Sequence, residues 1–159
     1  MRQYLLGWGQ PCVTRKLRSG DLAIDHLATN QLYRAGIQAG DTIWIVCSPE
    51  PGRLQLVGRL VVGSVVGREG AERRLNAACV ATHDIFALPA PGFVDKVDPI
   101  EISDEASALR FHAKTQHLPS EFAGRHFTTM RRLHMSSADL LWQLWDDARR
   151  VQRKTKRHA

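Results

Sequence analysis

Residues 38–48 read QAGDTIWIVCS, and residues 53–67 read RLQLVGRLVVGSVVG. These two stretches decide the fold. Ala39-Gly40-Asp41 has the composition of a tight turn. Residues 42–48 after it are dense in β-branched and aromatic side chains, which favour a pleated strand. Pro49, Pro51 and Gly52 then mark a hairpin loop. The 53–67 stretch is apolar on both phases of a two-residue alternation, so it predicts a long strand partly covered on both faces. Gly58, Gly63 and Gly67 recur along it. Glycine inside a strand marks a bulge or a bend of the kind a closing barrel requires.

The flanks add short elements. Residues 3–8 (QYLLGW) predict a strand, broken by Gly9-Gln10-Pro11, and residues 10–20 an exposed loop or short helix. A further extended piece is expected at 22–26 and weak helix at 28–38. Residues 69–76 read as a short charged helix or loop, 79–86 as a strand and 89–99 as a loop. Extended pieces follow at 97–103, 108–111 and 127–133. The last element is an amphipathic helix, capped by Ser136 or Ser137 with Asp139 in its first turn. Leu140, Leu141, Leu144, Ala148 and Val151 share one face of it. Trp145 flanks that face, and Trp142 points nearly opposite. No long helices alternate with strands, so a doubly wound parallel sheet is disfavoured. The expected class is α+β, mainly β: a bent mixed β-barrel over residues 1–135, a helix over 136–152 packed on it, and a basic flexible tail over 153–159.

Composition agrees with one globular domain. The chain has 159 residues, 43% hydrophobic and 24% charged, enough to bury a core without disulfides or metal. No apolar run approaches the ~20 residues that span a membrane, and MRQYLLGWGQP is not a signal peptide. The formal charge is +6. The segment RRVQRKTKRHA at 149–159 carries lysine and arginine with no acid, and the rest of the chain is formally neutral. Cys12, Cys47 and Cys79 form no paired motif, and an odd count argues for reduced thiols in a cytoplasmic protein. Cys47 reads as a small buried hydrophobe.

Signatures of catalysis are weak. His112, His117, His126 and His134 lie too far apart for a zinc motif, so no metal is expected. There is no phosphate-binding glycine loop and no nucleophile elbow. The pairs Asp95/Asp98 and Asp146/Asp147 read as solvated surface. No cofactor and no enzymatic activity are expected.

Binding signals are stronger. Trp8 stands between two glycines at a strand end, with room beside it for a flat ligand. Trp44, mid-strand, reads first as core and second as pocket. Aromatic faces accept any nucleobase. Arg15, Lys16, Arg18, Arg110, Arg125, Arg131, Arg132 and Lys154 are candidate phosphate contacts.

The layout resembles the EVE domain of the PUA-like superfamily. The resemblance rests on the aromatic first strand at 4–8, the turn and strand Gln38-Ala39-Gly40-Asp41-Thr42-Ile43-Trp44-Ile45-Val46, and Val57-Gly58-Arg59-Leu60-Val61-Val62 in the next strand. Leu109-Arg110-Phe111, Arg131-Arg132-Leu133 and the helix start SADLL at 137–141 are similar to EVE-like domains joined to HNH nucleases in bacterial restriction systems. It covers residues 3–145. It implies a base pocket lined by Trp8, Gly9, Asp25, His26, Tyr33, Trp44 and Phe111. His26 or Tyr33 stands in for a tryptophan common before the Gly-Asp turn. In this reading Asp25, or a backbone carbonyl near Trp8, accepts from the cytosine amino group. The implied function is recognition of 5-methylcytosine or 5-hydroxymethylcytosine in double-stranded DNA by base flipping, beside a nuclease domain or subunit. An RNA-binding PUA-like module acting on tRNA or rRNA is the alternative. A small enzyme or protein-interaction module, with Trp142 as partner surface, is a third.

Overall fold

A computed structural model describes residues 1–19, 24–30, 36–88, 98–114 and 116–157. The architecture is mixed α+β, a seven-stranded mixed sheet with a C-terminal helix. Its strands are β1 (Gln3–Gly7), β2 (His26–Thr29), β3 (Thr42–Cys47), β4 (Gln55–Gly67), β5 (His83–Ala87), β6 (Ile100–Glu101) and β7 (Arg131–Arg132). The helices are α1 (Gln10–Arg18), α2 (Arg68–Leu75) and α3 (Met135–Arg157), with 3-10 turns η1 (Ala106–Ala108) and η2 (Gly124–Phe127).

The decisive hairpin forms as expected. β3 lies between its antiparallel neighbour β4 and its parallel neighbour β1, and all six of its residues are buried. Alternation sends Trp44 and Val46 to one core, with Leu5, Leu54, Leu56, Leu141 and Trp145. Ile43, Ile45 and Cys47 enter a second core with Tyr4, Val13, Val57, Leu60 and Ile85. A strand buried on both faces needs apolar residues in both phases, which is why this one does not alternate. Each large aliphatic contributes ~1.5–3 kcal/mol by leaving water.

β4 bends where its glycines lie. The register slips beside Gly58, between Ile45 and Val46 of the partner, and again at Gly63, between Val62 and Ser64. A Cβ on Gly63 would stand 2.8 Å from the carbonyl oxygen of Ala87. After this second bulge β4 pairs with β5 as far as Gly67. The sheet path is β2-β5-β4-β3-β1-β7, with β6 on β4. Among the described residues nothing pairs β2 with β7, so the sheet is bent but open, and the closure expected of a barrel is not seen.

Several elements differ from expectation. The second strand is His26–Thr29, C-terminal to the 22–26 window, and 28–29 are strand rather than helix. Residues 22–23, residues 31–35 of the expected 28–38 helix and most of the 89–99 loop lie outside the described residues. The fifth strand starts at His83, not 79. Residues 108–111 give one isolated bridge, Phe111 to Leu133, after a 3-10 turn. Only Arg131 and Arg132 of the 127–133 stretch are strand.

α3 begins at Met135, and His134 caps it: its Nδ1 accepts the Ser136 amide at 3.4 Å and lies 3.0 Å from the Ser136 hydroxyl. Ser137 is fully buried, and its hydroxyl accepts the Arg110 amide at 2.6 Å. Asp139 thus falls beyond the first turn. The helix runs to Arg157, so residues 153–157 of the basic segment continue it. Trp145 is central to the buried face, while Val151 is 65% exposed. No described helix is long and apolar enough to cross a membrane.

Candidate nucleic-acid interface

β1 ends at Gly7, and the Trp8 amide makes one more bond to the Val46 carbonyl at 2.8 Å. Gly9 then caps α1 with extended backbone, and Pro11 suits the first helical turn, where its missing N–H costs nothing. Val13 anchors α1 in the core, and Arg15, Lys16 and Arg18 crowd its last turn, where cations suit the helix dipole. The turn therefore holds Trp8 half-buried at the edge of the second core.

Beside it opens a cleft of about 230 Å³, walled by Trp8, Gly9 and Gln10, by Ser48 at the end of β3, and by Phe127 and Thr128 of the η2 turn. That is roughly eight water volumes at ~30 Å³ each. Gly7 makes the back wall possible: a Cβ there would stand 2.8 Å from the Phe127 carbonyl oxygen. Phe127 is itself held edge-on by Phe122 at 5.9 Å. His126 Nδ1 accepts the Ala123 amide at 2.9 Å and fixes the turn. Gln10 also belongs to an open groove along α1 with Pro11, Thr14, Arg15 and Arg18. Cleft and basic groove meet at Gln10, which lines both, and the exposed Arg125 belongs to η2, whose Gly124 and Phe127 line the cleft.

The expected pocket residues do not all meet. Trp8 and Gly9 line the cleft. Trp44 does not: it is fully buried, its indole N–H donates to Gln3 Oε1 at 2.7 Å, and it packs edge-on against Trp142 and Trp145. Asp25 and His26 pair with each other at 2.9 Å, and His26 stacks on Phe86. Burial pushes the Asp25 carboxyl upward, but the His26 hydrogen bond and charge, its own backbone and the charge of Lys16 hold it below its ordinary value. Neither residue lines the Trp8 cleft. Phe111 is 3% exposed, at the back of a different cleft. Tyr33 lies outside the described residues.

The cations divide similarly. Arg15, Arg18, Arg125, Arg132 and Lys154 are exposed, and Lys16 is half-buried. Arg110 is turned inward, its Nη1 donating to the carbonyls of Ser107 and Leu109. Arg131 lies 3.7 Å over the Phe111 ring, and burial lowers its guanidinium pKa. Trp142, considered as a partner surface, packs back on Trp44 beneath Arg59.

Sequence reasoning missed Gln10, Ser48, Phe127 and Thr128. Gly7 was the available signal, since a glycine closing a strand implies a close neighbour. Cys12, Cys47 and Cys79 are free thiols. Cys47 is buried, burial raises its pKa, and its thiol donates to Gln10 Oε1 at 2.9 Å. Among the described residues no group of three or more histidines, cysteines or carboxylates could hold a metal ion.

No protein-family model matches the chain, and neither a curated protein nor a solved structure does.

Proposed function

We propose that this chain is a PUA-like, EVE-type reader of modified cytosine in double-stranded DNA, acting in the cytoplasm as the specificity element of a modification-dependent restriction system. A partner domain or subunit supplies cleavage. The observation that carries the reading is that the Trp8 cleft and the groove of Arg15 and Arg18 share a lining residue, Gln10. The bent sheet fits an incompletely closed barrel of this type.

In this mechanism phosphates on Arg15, Arg18 and Arg125 position the duplex without reading sequence. The target base leaves the stack at a cost of a few kcal/mol and enters the cleft against Trp8. Cys47 holds the oxygen end of the Gln10 amide, so the NH2 end is left to donate to N3 or O2 of cytosine. Gln10 thus supplies a donor to the base edge, and acceptance from the cytosine amino group falls to a backbone carbonyl near Trp8, since Asp25 does not line the cleft. A 5-methyl group adds only ~0.8 kcal/mol of burial, so selectivity rests on fit against Phe127 and Thr128.

The test is a binding panel at one salt concentration. It uses matched duplexes carrying cytosine, 5-methylcytosine, 5-hydroxymethylcytosine or N6-methyladenine, together with a structured RNA. The expected result is preference for one of the modified-cytosine duplexes. Equal affinity for all duplexes, or tighter binding of the RNA, overturns the reading.

A further inference from the structure

A second cleft, of about 600 Å³, opens on another part of the surface, lined by Arg110, Phe111, His112, Gln116, His134 and Ser136. The imidazoles of His112 and His134 lie against each other at this cleft, ring centroids 5.3 Å apart and tilted by 41°. Twenty-two positions separate them in sequence. The bridge between Phe111 and Leu133 brings them together, and backbone bonds from His112 to Arg132 and from His134 to Arg110 lock the register. Both side chains are exposed, and among the described residues neither is paired with a carboxylate.

The charged groups around the pair are mostly positive. Arg110 lines the cleft, Arg131 and Arg132 come from β7, Lys114 follows His112 in the loop, and Asp139 lies one turn into α3. That setting disfavours a bound cation. The positive end of α3 beside His134 adds to it. An oxyanion held at the exposed edges of the two rings fits that setting, because each ring N–H then gives it a charge-assisted hydrogen bond.

We propose that the His112–His134 cleft is a phosphate-binding site. The inference is independent of the base-reading proposal, since the Trp8 cleft shares none of these residues.

The test is imidazole NMR of the full chain titrated with inorganic phosphate at pH 5.5 and 7.5. His112→Ala and His134→Asn are run alongside, the asparagine keeping a helix cap. The expected result is saturable shifts of both rings. Binding should disappear in His112→Ala. No saturable shift, an unchanged shift of the remaining ring in both variants, or a response to zinc but not to phosphate overturns the proposal. An unmodified duplex titrated at pH 5.5 separates the sources. Weaker duplex binding by His112→Ala assigns the phosphate to a nucleic-acid backbone, and unchanged binding assigns it to a free phosphate.

Discussion

The guanidinium carbon of Arg59 lies 4.1 Å from the centroid of the Trp142 ring. Arg59 is 6% exposed on β4, so α3 covers a charge as well as an apolar face. Trp142 meets Trp44 edge-on at 5.2 Å on the same contact. Trp142→Ala should therefore lower stability by about 3 kcal/mol, the lower end for loss of a packed large aromatic. Chemical denaturation measures it. DNA affinity of the folded fraction should not change, and a binding loss without destabilisation would return Trp142 to a partner surface.

Gly7→Ala probes the back wall of the Trp8 cleft. The new methyl displaces Phe127 and the η2 turn, at a cost of ~1–3 kcal/mol for overpacking. Thermal melts should show the destabilisation, and affinity for modified DNA should fall with it. Gly9→Ala is the control, because the nearest atom to a Cβ there is Pro11 Cδ at 3.7 Å. It lacks the clash, so its melting should fall only by glycine's advantage over alanine at a helix cap, ~0.5–1 kcal/mol.

Glu101 ties the short strand β6 to β4. It accepts from Arg53 at 2.7 Å and from Ser103, and these bonds hold its carboxyl below the ordinary value. A depressed carboxylate stabilises the fold above its unfolded pKa, and the contribution is lost as pH falls through the folded value. Glu101→Gln should thus lower the melting point at pH 7 by a small amount, as expected for an exposed pair. Wild type and variant should converge in acid, below the depressed pKa. A difference that persists there would mean packing rather than charge.

Truncation after Ala148 removes the basic end of α3. Binding of every duplex should weaken and its salt dependence become shallower, because phosphate contacts release counterions. Preference for the modified base should stay. Fluorescence anisotropy over a salt series checks both. Loss of preference with affinity intact would place this end of α3 in the pocket.

What could be read from the sequence follows from how local the signal is. The β3–β4 hairpin was legible because apolar runs, a turn and glycines lie within thirty residues. β2 was misplaced because four residues, HLAT, carry little pattern and depend on pairing with β5. Trp8 was found through its neighbouring glycines. Trp44 was kept as a pocket candidate because sequence cannot show that α3 folds over it. The His134 cap was missed because serines are the commoner cap residues. The His112–His134 pair depends on a long-range bridge and has no spacing signature.

Trp8→Ala tests the central claim most directly. Binding is measured for matched duplexes with 5-methylcytosine, 5-hydroxymethylcytosine or cytosine, with thermal melts alongside. Loss of the stacking surface should cost ~1–3 kcal/mol, roughly 5- to 150-fold in affinity, for the preferred modified duplex. The unmodified duplex, held by phosphate contacts, should change little. A folded variant with wild-type melting and undiminished preference would contradict the account.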